Sequence, residues 1–349
     1  MKTIVRQLDY KNIDSQIMEE AGQILKSGGL VAFPTETVYG LGGDALNPQS
    51  SEKIYAAKGR PSDNPLIVHI ADQRDLYEIT DEVSEEAKKL MDAFWPGPLT
   101  LIFHKKERVP DETTGGLPTV AVRMPSDPIA AALIRAAGGF VAAPSANLSG
   151  RPSTTMASHV IEDLSGRIDM ILDGGQAVIG LESTIVDVSV NPAVILRPGA
   201  ITKAMLEKVI GKVEVDQAVI DPNSGVKPKA PGMKYRHYAP KADLIIVEGE
   251  TEKVVSYINV QTAEAGKQGQ KTGIIATDET AALYPEGLIM SLGARCHEEE
   301  ISMHLFEVLR KFDATDVSCI YSESFEDADM GSAIMNRLLK AAGHHVVRV

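Results

Sequence analysis

The most chemically suggestive part of the sequence is residues 58–69, KGRPSDNPLIVH, where two cations, an amide and an imidazole lie close together. Pro61 and Pro65 each fix a backbone angle and push the preceding residue toward an extended conformation. On an extended chain Lys58 and Arg60, two residues apart, would project in the same direction. A charged surface turn is the simpler alternative, but this rigid segment beside an apolar strand favours binding of a polyanion.

Further polar clusters follow or open predicted strands in the first two hundred residues. They read PTETVYGL at 34–41, RMP at 123–125, PSANLSG at 144–150, ST at 183–184 and RPG at 197–199. Ligands of open α/β sheets collect at the strand ends, so we expect these clusters to form one site there. Arginines, a lysine, hydroxyls and one histidine, without a nucleophile elbow, favour charge stabilisation of an anionic substrate over covalent catalysis.

Each of these side chains also has a purely structural interpretation. The alternatives are turn or cap hydroxyls for Thr35, Thr37, Ser145 and Asn147, ion-pair partners for Arg123 and Arg197, and a hydrogen-bonded core imidazole for His69. The occurrence of all of them in one domain favours the functional interpretation.

The composition limits the class of protein. A net charge of −13 over 349 residues argues against a dedicated nucleic-acid-binding protein, although it leaves room for a local basic cleft. The two cysteines, Cys296 and Cys319, exclude a disulfide framework or a thiolate zinc site and are typical of a reducing, cytoplasmic compartment. The first residues lack the apolar core of a signal peptide, and no apolar run reaches membrane-spanning length. We therefore expect no membrane association.

The order of helical and extended patterns predicts an α/β protein with two domains. We expect a large open, twisted mixed-sheet domain at 1–212, a linker at 213–240 and a smaller Rossmann-like parallel-sheet domain at 241–349. The linker contains YRHY at 235–238, which is unusual for a passive connection, so it is interpreted either as a plain linker or as a lid over the site.

Five of these motifs, in this order and spacing, resemble the Sua5/YrdC/YwlC family. They are PTETVYGLG at 34–42, KGR at 58–60, SAN at 145–147, STIVD at 183–187 and RPG at 197–199. The similarity covers about residues 14–210, and the remainder resembles the long, two-domain Sua5 type. The resemblance implies a YrdC-like sheet with a positively charged cleft.

The resemblance also implies an activity, that of an L-threonylcarbamoyladenylate synthase, which is a nucleotidyltransferase. Such enzymes condense L-threonine, bicarbonate or CO2, and ATP carrying Mg2+ to threonylcarbamoyl-AMP and pyrophosphate. A downstream tRNA threonylcarbamoyl transferase then completes the t6A modification of adenosine 37 in tRNA, and a weak direct contact with tRNA stays open.

By the same resemblance, individual residues receive roles. The expected ATP-binding residues are Lys58, Arg60, Ser62, Thr119, Ser145, Asn147, Ser153, Arg197 and Tyr235. Lys58 and Arg60 are also expected to be catalytic, and Tyr235 to close over the nucleotide. The expected threonine-binding residues are Thr35, His69, Arg123, Ala143 and Ser183, and no protein metal ligands are expected.

Three alternatives remain at this point. One is the related carbamoyltransferase of hydrogenase maturation, which adds an acylphosphatase segment and zinc fingers that this sequence lacks. The second is an RNA-binding module that uses the basic cleft of the first domain, which the net charge and the lack of aromatic stacking platforms weaken. The third concerns the second domain, which is either architectural or recruits a partner.

Overall fold

The computed structural model describes residues 2–220, 237–325 and 329–349, and these fall into two compact units. The first unit contains residues 2–149 and 153–220, and the second contains the described residues from 237 onward. The second unit also includes the short segment Gly150–Pro152. Tyr235, expected to cover the nucleotide, lies outside the described residues.

Eleven strands of the first unit form one mixed sheet in the described part of the chain. The strands are β1 (Ile4–Gln7), β2 (Val31–Phe33), β3 (Gly40–Asp44), β4 (Ile67–His69), β5 (Leu99–His104), β6 (Thr119–Arg123), β7 (Val141–Ala142), β8 (Met170–Asp173), β9 (Thr184–Asp187), β10 (Val194–Arg197) and β11 (Glu214–Val215). Their order is β1-β8-β2-β3-β7-β4-β6-β5-β9-β10-β11. Strands β4 and β6 are parallel, whereas β7 runs antiparallel to both of its neighbours.

Helices cover this sheet and begin where the sequence supplies a cap. They are α1 (Ser15–Lys26), α2 (Pro48–Lys58), α3 (Gln73–Ile79), α4 (Glu85–Phe94), α5 (Asp111–Thr114), α6 (Pro128–Ala136), α7 (Ala157–Leu164), α8 (Lys203–Ile210) and α9 (Gln217–Ile220). At α6 the Asp127 carboxylate accepts the backbone N–H groups of Ile129 and Ala130. Pro128 occupies the first position, where its missing N–H costs nothing, and Asn47 caps α2 in the same way.

Apolar side chains cover both faces of the sheet. In β2, Ala32 belongs to the larger apolar cluster, whereas Val31 and Phe33 pack with Leu25 of α1 and Leu133 of α6. The two faces of β2 pack against different clusters. A shift of one residue would move every side chain of the strand into the other cluster, so this packing fixes the register. The polar residues at the strand ends are therefore held on a rigid support.

The second unit contains a smaller, fully parallel sheet in its described residues. Its strands are β12 (Asp243–Glu248), β13 (Thr272–Ala276), β14 (Leu288–Ser291), β15 (Cys319–Glu323) and β16 (Val346–Arg348), in the order β14-β13-β15-β12-β16. The helices α10 (Thr251–Lys267), α11 (Glu298–Asp313) and α12 (Asp329–Ala341) and a 3-10 turn at Ala281–Leu283 lie between the strands. The predicted α/β fold, a large mixed sheet plus a smaller parallel sheet, is confirmed.

None of the helices in the described ranges combines the length and the apolar character needed to cross a bilayer.

The segment around Lys58 and Arg60 is not extended, contrary to the expectation from its prolines. Lys58 is the last residue of α2, and Gly59 ends the helix with a left-handed φ of 63°. A glycine in this conformation terminates helices because it carries no Cβ to clash with the backbone. The predicted parallel projection of the two cations is therefore wrong, since one side chain leaves a helix and the other follows a sharp turn.

We expect Gly59→Ala to lower the free energy of unfolding by about 1 kcal/mol. A Cβ at Gly59 would meet nothing within 4 Å, so the cost arises from the left-handed backbone alone. Urea denaturation measures the effect. Gly59→Asn is the matched control, because asparagine tolerates this conformation better, and it should retain more stability than the alanine variant. Equal stability of all three proteins would contradict this account of the helix end.

Candidate active site

Arg123, the last residue of β6, has a guanidinium group that is held from three directions. The residue is only 4 % exposed. Its Nη1 donates to Thr37 Oγ1 at 2.8 Å, and its Nε donates to the carbonyl oxygen of Gly97 at 3.3 Å. Its Nη2 lies 2.8 Å from Oε1 of Glu36, in an ion pair that is not an aligned hydrogen bond. The result is a fixed cation in the interior of the first unit.

Glu36 supplies the negative charge opposite Arg123. Burial by itself would raise the pKa of this carboxyl group, but the positive charge of Arg123 and the backbone N–H of Ser126 outweigh burial and lower the pKa below its ordinary value. Glu36 is therefore ionised near neutral pH. The pair is a buried salt bridge, in which the loss of one partner leaves the other charge uncompensated.

A short series of hydroxyl groups continues from Arg123 into the loop between β2 and β3. Thr35 Oγ1 donates to the carbonyl oxygen of Val38 at 2.6 Å and lies 2.8 Å from Thr37 Oγ1. Because Thr35 uses its only proton on Val38, Thr37 must donate to Thr35 while accepting from Arg123. Thr35 Oγ1 also accepts the backbone N–H groups of Thr37 and Val38 at 3.2 and 3.3 Å, so the structural alternative of a turn hydroxyl is met at Thr35.

His69, at the end of β4, is a neutral neighbour of this cation. It pairs with Arg123 in the register of the parallel strands β4 and β6, and its ring lies edge-on to Phe33 with 6.1 Å between the centroids. Its Nδ1 lies 3.1 Å from the carbonyl oxygen of Ile67. Burial and then the charge of Arg123 lower the pKa of His69 to about 3. The imidazole adds hydrogen-bonding capacity without adding charge at neutral pH.

Ser183, just before β9, connects a second buried arginine to the same region. Its Oγ lies 2.7 Å from Thr100 Oγ1 and accepts from Arg197 Nη2 at 3.1 Å. Arg197 Nε donates to the carbonyl oxygen of Ser183 at 2.9 Å. Thr100 lies directly opposite Arg123 in the antiparallel pair of β5 and β6. Arg123 and Arg197 are thus linked across neighbouring strands.

Lys58 binds the loop that follows β7. The residue is 2 % exposed, and its Nζ donates to the carbonyl oxygens of both Ser145 and Asn147. Ser145 Oγ donates to Asn147 Oδ1 at 2.6 Å, and Ser145 forms a bridge with Gly40 at the start of β3. The KGR, SAN and PTETVYGLG motifs therefore meet at one place.

Arg60 and Ser62 occupy the turn after α2. The guanidinium group of Arg60 donates to the carbonyl oxygen of Asn64 at 3.2 Å and to that of Pro65 at 3.1 Å. Arg60 therefore binds the loop to which it belongs, whereas Lys58 binds the loop after β7. Ser62 is exposed.

The remaining predicted residues lie at three further positions. Thr119 begins β6 on the same face as Arg123, four residues and about 13 Å away. Ala143 is buried and donates its backbone N–H to the carbonyl oxygen of Ile67 at 2.9 Å. Ser153 is fully buried and donates its hydroxyl to Glu182 Oε1.

The strand directions show that the clusters lie at different ends of neighbouring strands. Because β7 is antiparallel to β4, Ser145 and Asn147 follow β7 at the end where β4 begins, whereas His69 lies where β4 finishes. The segment at 34–41 connects the two ends, because Thr37 accepts from Arg123 and Gly40 forms a bridge with Ser145.

Sequence reasoning missed three polar neighbours of the site: Glu36, Thr100 and Glu182. Glu36 stands inside the PTETVYGLG motif, so its position was available as a signal. Thr100 is a polar residue in an otherwise apolar strand, which is a weaker signal. Glu182 directly precedes the STIVD motif, but its partner Ser153 is distant in the sequence.

We expect Glu36→Ala to lower the free energy of unfolding by about 3 kcal/mol or more, because it leaves the Arg123 charge buried without a partner. Chemical denaturation of the purified protein measures this. Glu20→Ala is the control, since its pair with Arg6 is about 40 % exposed on both sides and should contribute at most about 1 kcal/mol. A loss at Glu36 no larger than at Glu20 would show that the buried pair does not stabilise this region.

Acid should destabilise the protein in part through His69. The pKa of its imidazole is about 3 in the fold and 6.5 ordinarily, so between these values the unfolded chain binds a proton that the folded chain does not. The free energy of unfolding therefore falls as the pH drops below 6.5, by at most about 1.4 kcal/mol per pH unit from this residue. In thermal melts between pH 6.5 and 4.5, His69→Gln should show a shallower decline of Tm than the unchanged protein. Parallel declines would contradict the neutral buried imidazole.

Comparisons with known proteins cover nearly the whole chain. The chain is 50% identical over 336 residues to a threonylcarbamoyl-AMP synthase of Bacillus subtilis, covering 96% of this chain and 95% of that protein. It is 47% identical over 329 residues to one from Pyrococcus abyssi, covering 94% and 95%. The crystal structure of Pyrococcus abyssi Sua5 complexed with L-threonine matches with a TM-score of 0.94 and 46% identity, covering 99% of this chain and 100% of that one.

Two family models also match, one for each part of the chain. Residues 201–343 match the model described as "Threonylcarbamoyl-AMP synthase, C-terminal domain". Residues 23–199 match the Sua5–YciO–YrdC model, described as "Telomere recombination". The resemblance carried by the five motifs is therefore confirmed, and the chain belongs to the Sua5–YciO–YrdC family.

Proposed function

We propose that this chain is a threonylcarbamoyl-AMP synthase, which condenses L-threonine, bicarbonate or CO2, and ATP to threonylcarbamoyl-AMP and pyrophosphate. One observation carries the proposal: residues of all five motifs are connected, from Lys58 to Arg197, by hydrogen bonds, strand pairings and the short segment 37–40. The activity for which its relatives are named, and the L-threonine in the Pyrococcus abyssi complex, support it.

The environment of Arg123 suits a zwitterionic amino acid. We propose that Arg123 pairs the carboxylate of threonine through Nη2, the guanidinium nitrogen that makes no aligned hydrogen bond within the described residues. His69 stays neutral beside it, so it hydrogen-bonds the substrate without repelling the ammonium group. Thr35, Ala143 and Ser183 would border the amino acid, as the family resemblance implies for them.

The remaining cations suit the triphosphate. In the proposed reaction the ammonium group of threonine first loses one proton to solvent. The neutral amine then forms a C–N bond to CO2, and the second proton released passes to solvent. A carbamate oxygen then attacks the α-phosphorus, and the bond to pyrophosphate breaks, which makes the enzyme a nucleotidyltransferase. Lys58, Arg60 and Arg197 would stabilise the negative charge that builds up on the phosphates. Ser62, Ser145, Asn147 and Ser153 would border the nucleotide.

The spacing of Thr119 and Arg123 supports a long substrate. The two residues share one face of β6 and lie about 13 Å apart. A nucleotide near Thr119 and an amino acid near Arg123 would then extend along the same strand toward each other, with the reacting groups between them.

Magnesium and the later use of the product complete the proposal. Within the described residues no group of three or more His, Cys, Asp or Glu side chains is placed to hold a metal ion. We propose that Mg2+ arrives on ATP, held by phosphate oxygens and water, which it prefers.

The product is a reactive acyl phosphate, so a tRNA threonylcarbamoyl transferase must consume it. The Tyr235 lid, the domain boundaries and the cytoplasmic location stay predictions.

The alternative of an RNA-binding module is less consistent with the position of the cations. Lys58, Arg123 and Arg197 are only 2 %, 4 % and 5 % exposed, whereas a protein that follows an RNA backbone presents its cations to solvent. Binding to RNA at two salt concentrations tests it, because an RNA-binding module would show a steep salt dependence.

The direct test is incubation with ATP, threonine and bicarbonate followed by an assay for pyrophosphate. We expect pyrophosphate release that requires threonine and is not supported by serine or valine, with threonylcarbamoyl-AMP detected by mass spectrometry. Release without an amino acid, or with any amino acid, would contradict the proposal.

In the same assay Lys58→Ala and Arg60→Ala should each reduce kcat by a factor on the order of 100 or more, because each removes a cation from the developing charge. Arg74→Ala is the control, since Arg74 has an 89 % exposed side chain paired with Asp72. Unchanged kcat in the Lys58 and Arg60 variants would remove these residues from the catalytic site.

A further inference from the structure

The segment Gly150–Pro152 packs within the second unit although its neighbours in sequence belong to the first. It connects Ser149 to Ser153, which is one of the proposed nucleotide-binding residues. The SAN motif lies just before it. The following inference rests on the proposed function, because it takes these neighbours as part of the ATP site.

Two charged residues at the end of α11 hold this segment. Arg310 is 5 % exposed, and its Nη2 donates to the carbonyl oxygen of Pro152 at 2.6 Å. Asp313, whose side chain is 4 % exposed, accepts from Arg151 Nη2 at 3.4 Å. Because Arg310 and Asp313 are three residues apart on a helix, they present their side chains on the same face.

The chain that leads into β12 holds the other end of the segment. The backbone N–H of Ala239 donates to the carbonyl oxygen of Gly150 at 2.9 Å. Asp313 Oδ1 accepts the backbone N–H of Lys241 at 2.7 Å, and the Tyr238 ring lies on Phe306 of α11 with 5.1 Å between the centroids. The carbonyl oxygens at both ends of the segment are therefore bound, that of Pro152 by Arg310 and that of Gly150 by Ala239. The chain around Ala239 is in turn held against α11.

The residues on either side of the segment lead directly into the proposed site. The backbone N–H of Ser149 donates to the carbonyl oxygen of Lys58 at 2.9 Å. Ser153 donates to Glu182. Since only one peptide bond separates each of them from the held segment, a displacement of residues 150–152 would move Ser149 and Ser153 with it.

We propose that Arg310 and Asp313 are positioning residues for the nucleotide site. They fix Gly150–Pro152 and thereby set the places of Ser149, which binds the end of the Lys58 helix, and of Ser153. The held segment Gly150–Pro152 would thus affect ATP binding through its two covalent neighbours, without itself supplying a ligand for the nucleotide.

The test uses the full chain with Arg310→Met, which keeps the aliphatic bulk but removes the donor. Hydrogen–deuterium exchange should show faster exchange at the amides of residues 149–151 and 153, including the Ser149 N–H that binds Lys58, and little change elsewhere. The KM for ATP should rise by about tenfold, because a small misplacement of binding groups is costly, while the KM for threonine changes by less than about twofold.

Two further variants make the result specific. Arg310→Lys keeps a charged donor and should restore most of the ATP affinity. Lys311→Met is the matched control on the same helix, since Lys311 has a 58 % exposed side chain paired with Glu307, and its KM for ATP should be unchanged.

Separate outcomes distinguish this inference from the proposed function. An unchanged KM for ATP in Arg310→Met, in an otherwise active enzyme, overturns the positioning role alone. Faster exchange throughout the second unit also overturns it, because it would show general unfolding. A wild-type chain without threonine-dependent pyrophosphate release overturns the proposed function instead, and it does so without any variant.

Discussion

The buried charge of Arg123 is the constraint on which the arrangement of the first unit depends. A guanidinium group removed from water must find acceptors for its donors and a compensating negative charge. Thr37, the Gly97 carbonyl oxygen and Glu36 meet these requirements, and they come from loops that are far apart in the sequence. The chain before β3 and the chain before β5 must therefore both approach the end of β6.

The same principle applies to the other cations of the site. Lys58, Arg60 and Arg197 each donate to backbone carbonyl oxygens, so each of them holds a loop as well as carrying a charge. Donors that are fixed before a substrate arrives need little reorganisation when negative charge develops nearby, which is the condition for effective electrostatic stabilisation. In this site, stability and the capacity for catalysis have a common structural origin.

Much of the fold was predictable because local pattern determines it. The apolar runs at 119–123, 272–276 and 288–291 coincide with strands β6, β13 and β14. The sequence of strand β3, GLGGD, lacks the β-branched residues that signal a strand, so local pattern does not predict it. Helix α10 continues to Lys267 although its second half is polar and lacks an apolar stripe, so local pattern predicts only its first half.

The site was predictable in its residue types but not in its connections. Motif order identified Ser183 and Arg197, and the polar cluster at 123–125 identified Arg123. The contact of Ser183 with Thr100 depends instead on strand register and joins residues 83 positions apart. The direction of Lys58 was misjudged because the prolines after it received more weight than the Lys-Gly pair, which is a helix-end signal.

The placement of Gly150–Pro152 has a consequence for the backbone of this loop. The chain enters the second unit for three residues, returns, and enters it again much later. The compact units therefore do not coincide with two continuous stretches of sequence. If the second unit were removed, the backbone N–H and C=O groups of these three residues would need other partners, from water or from a rearranged loop.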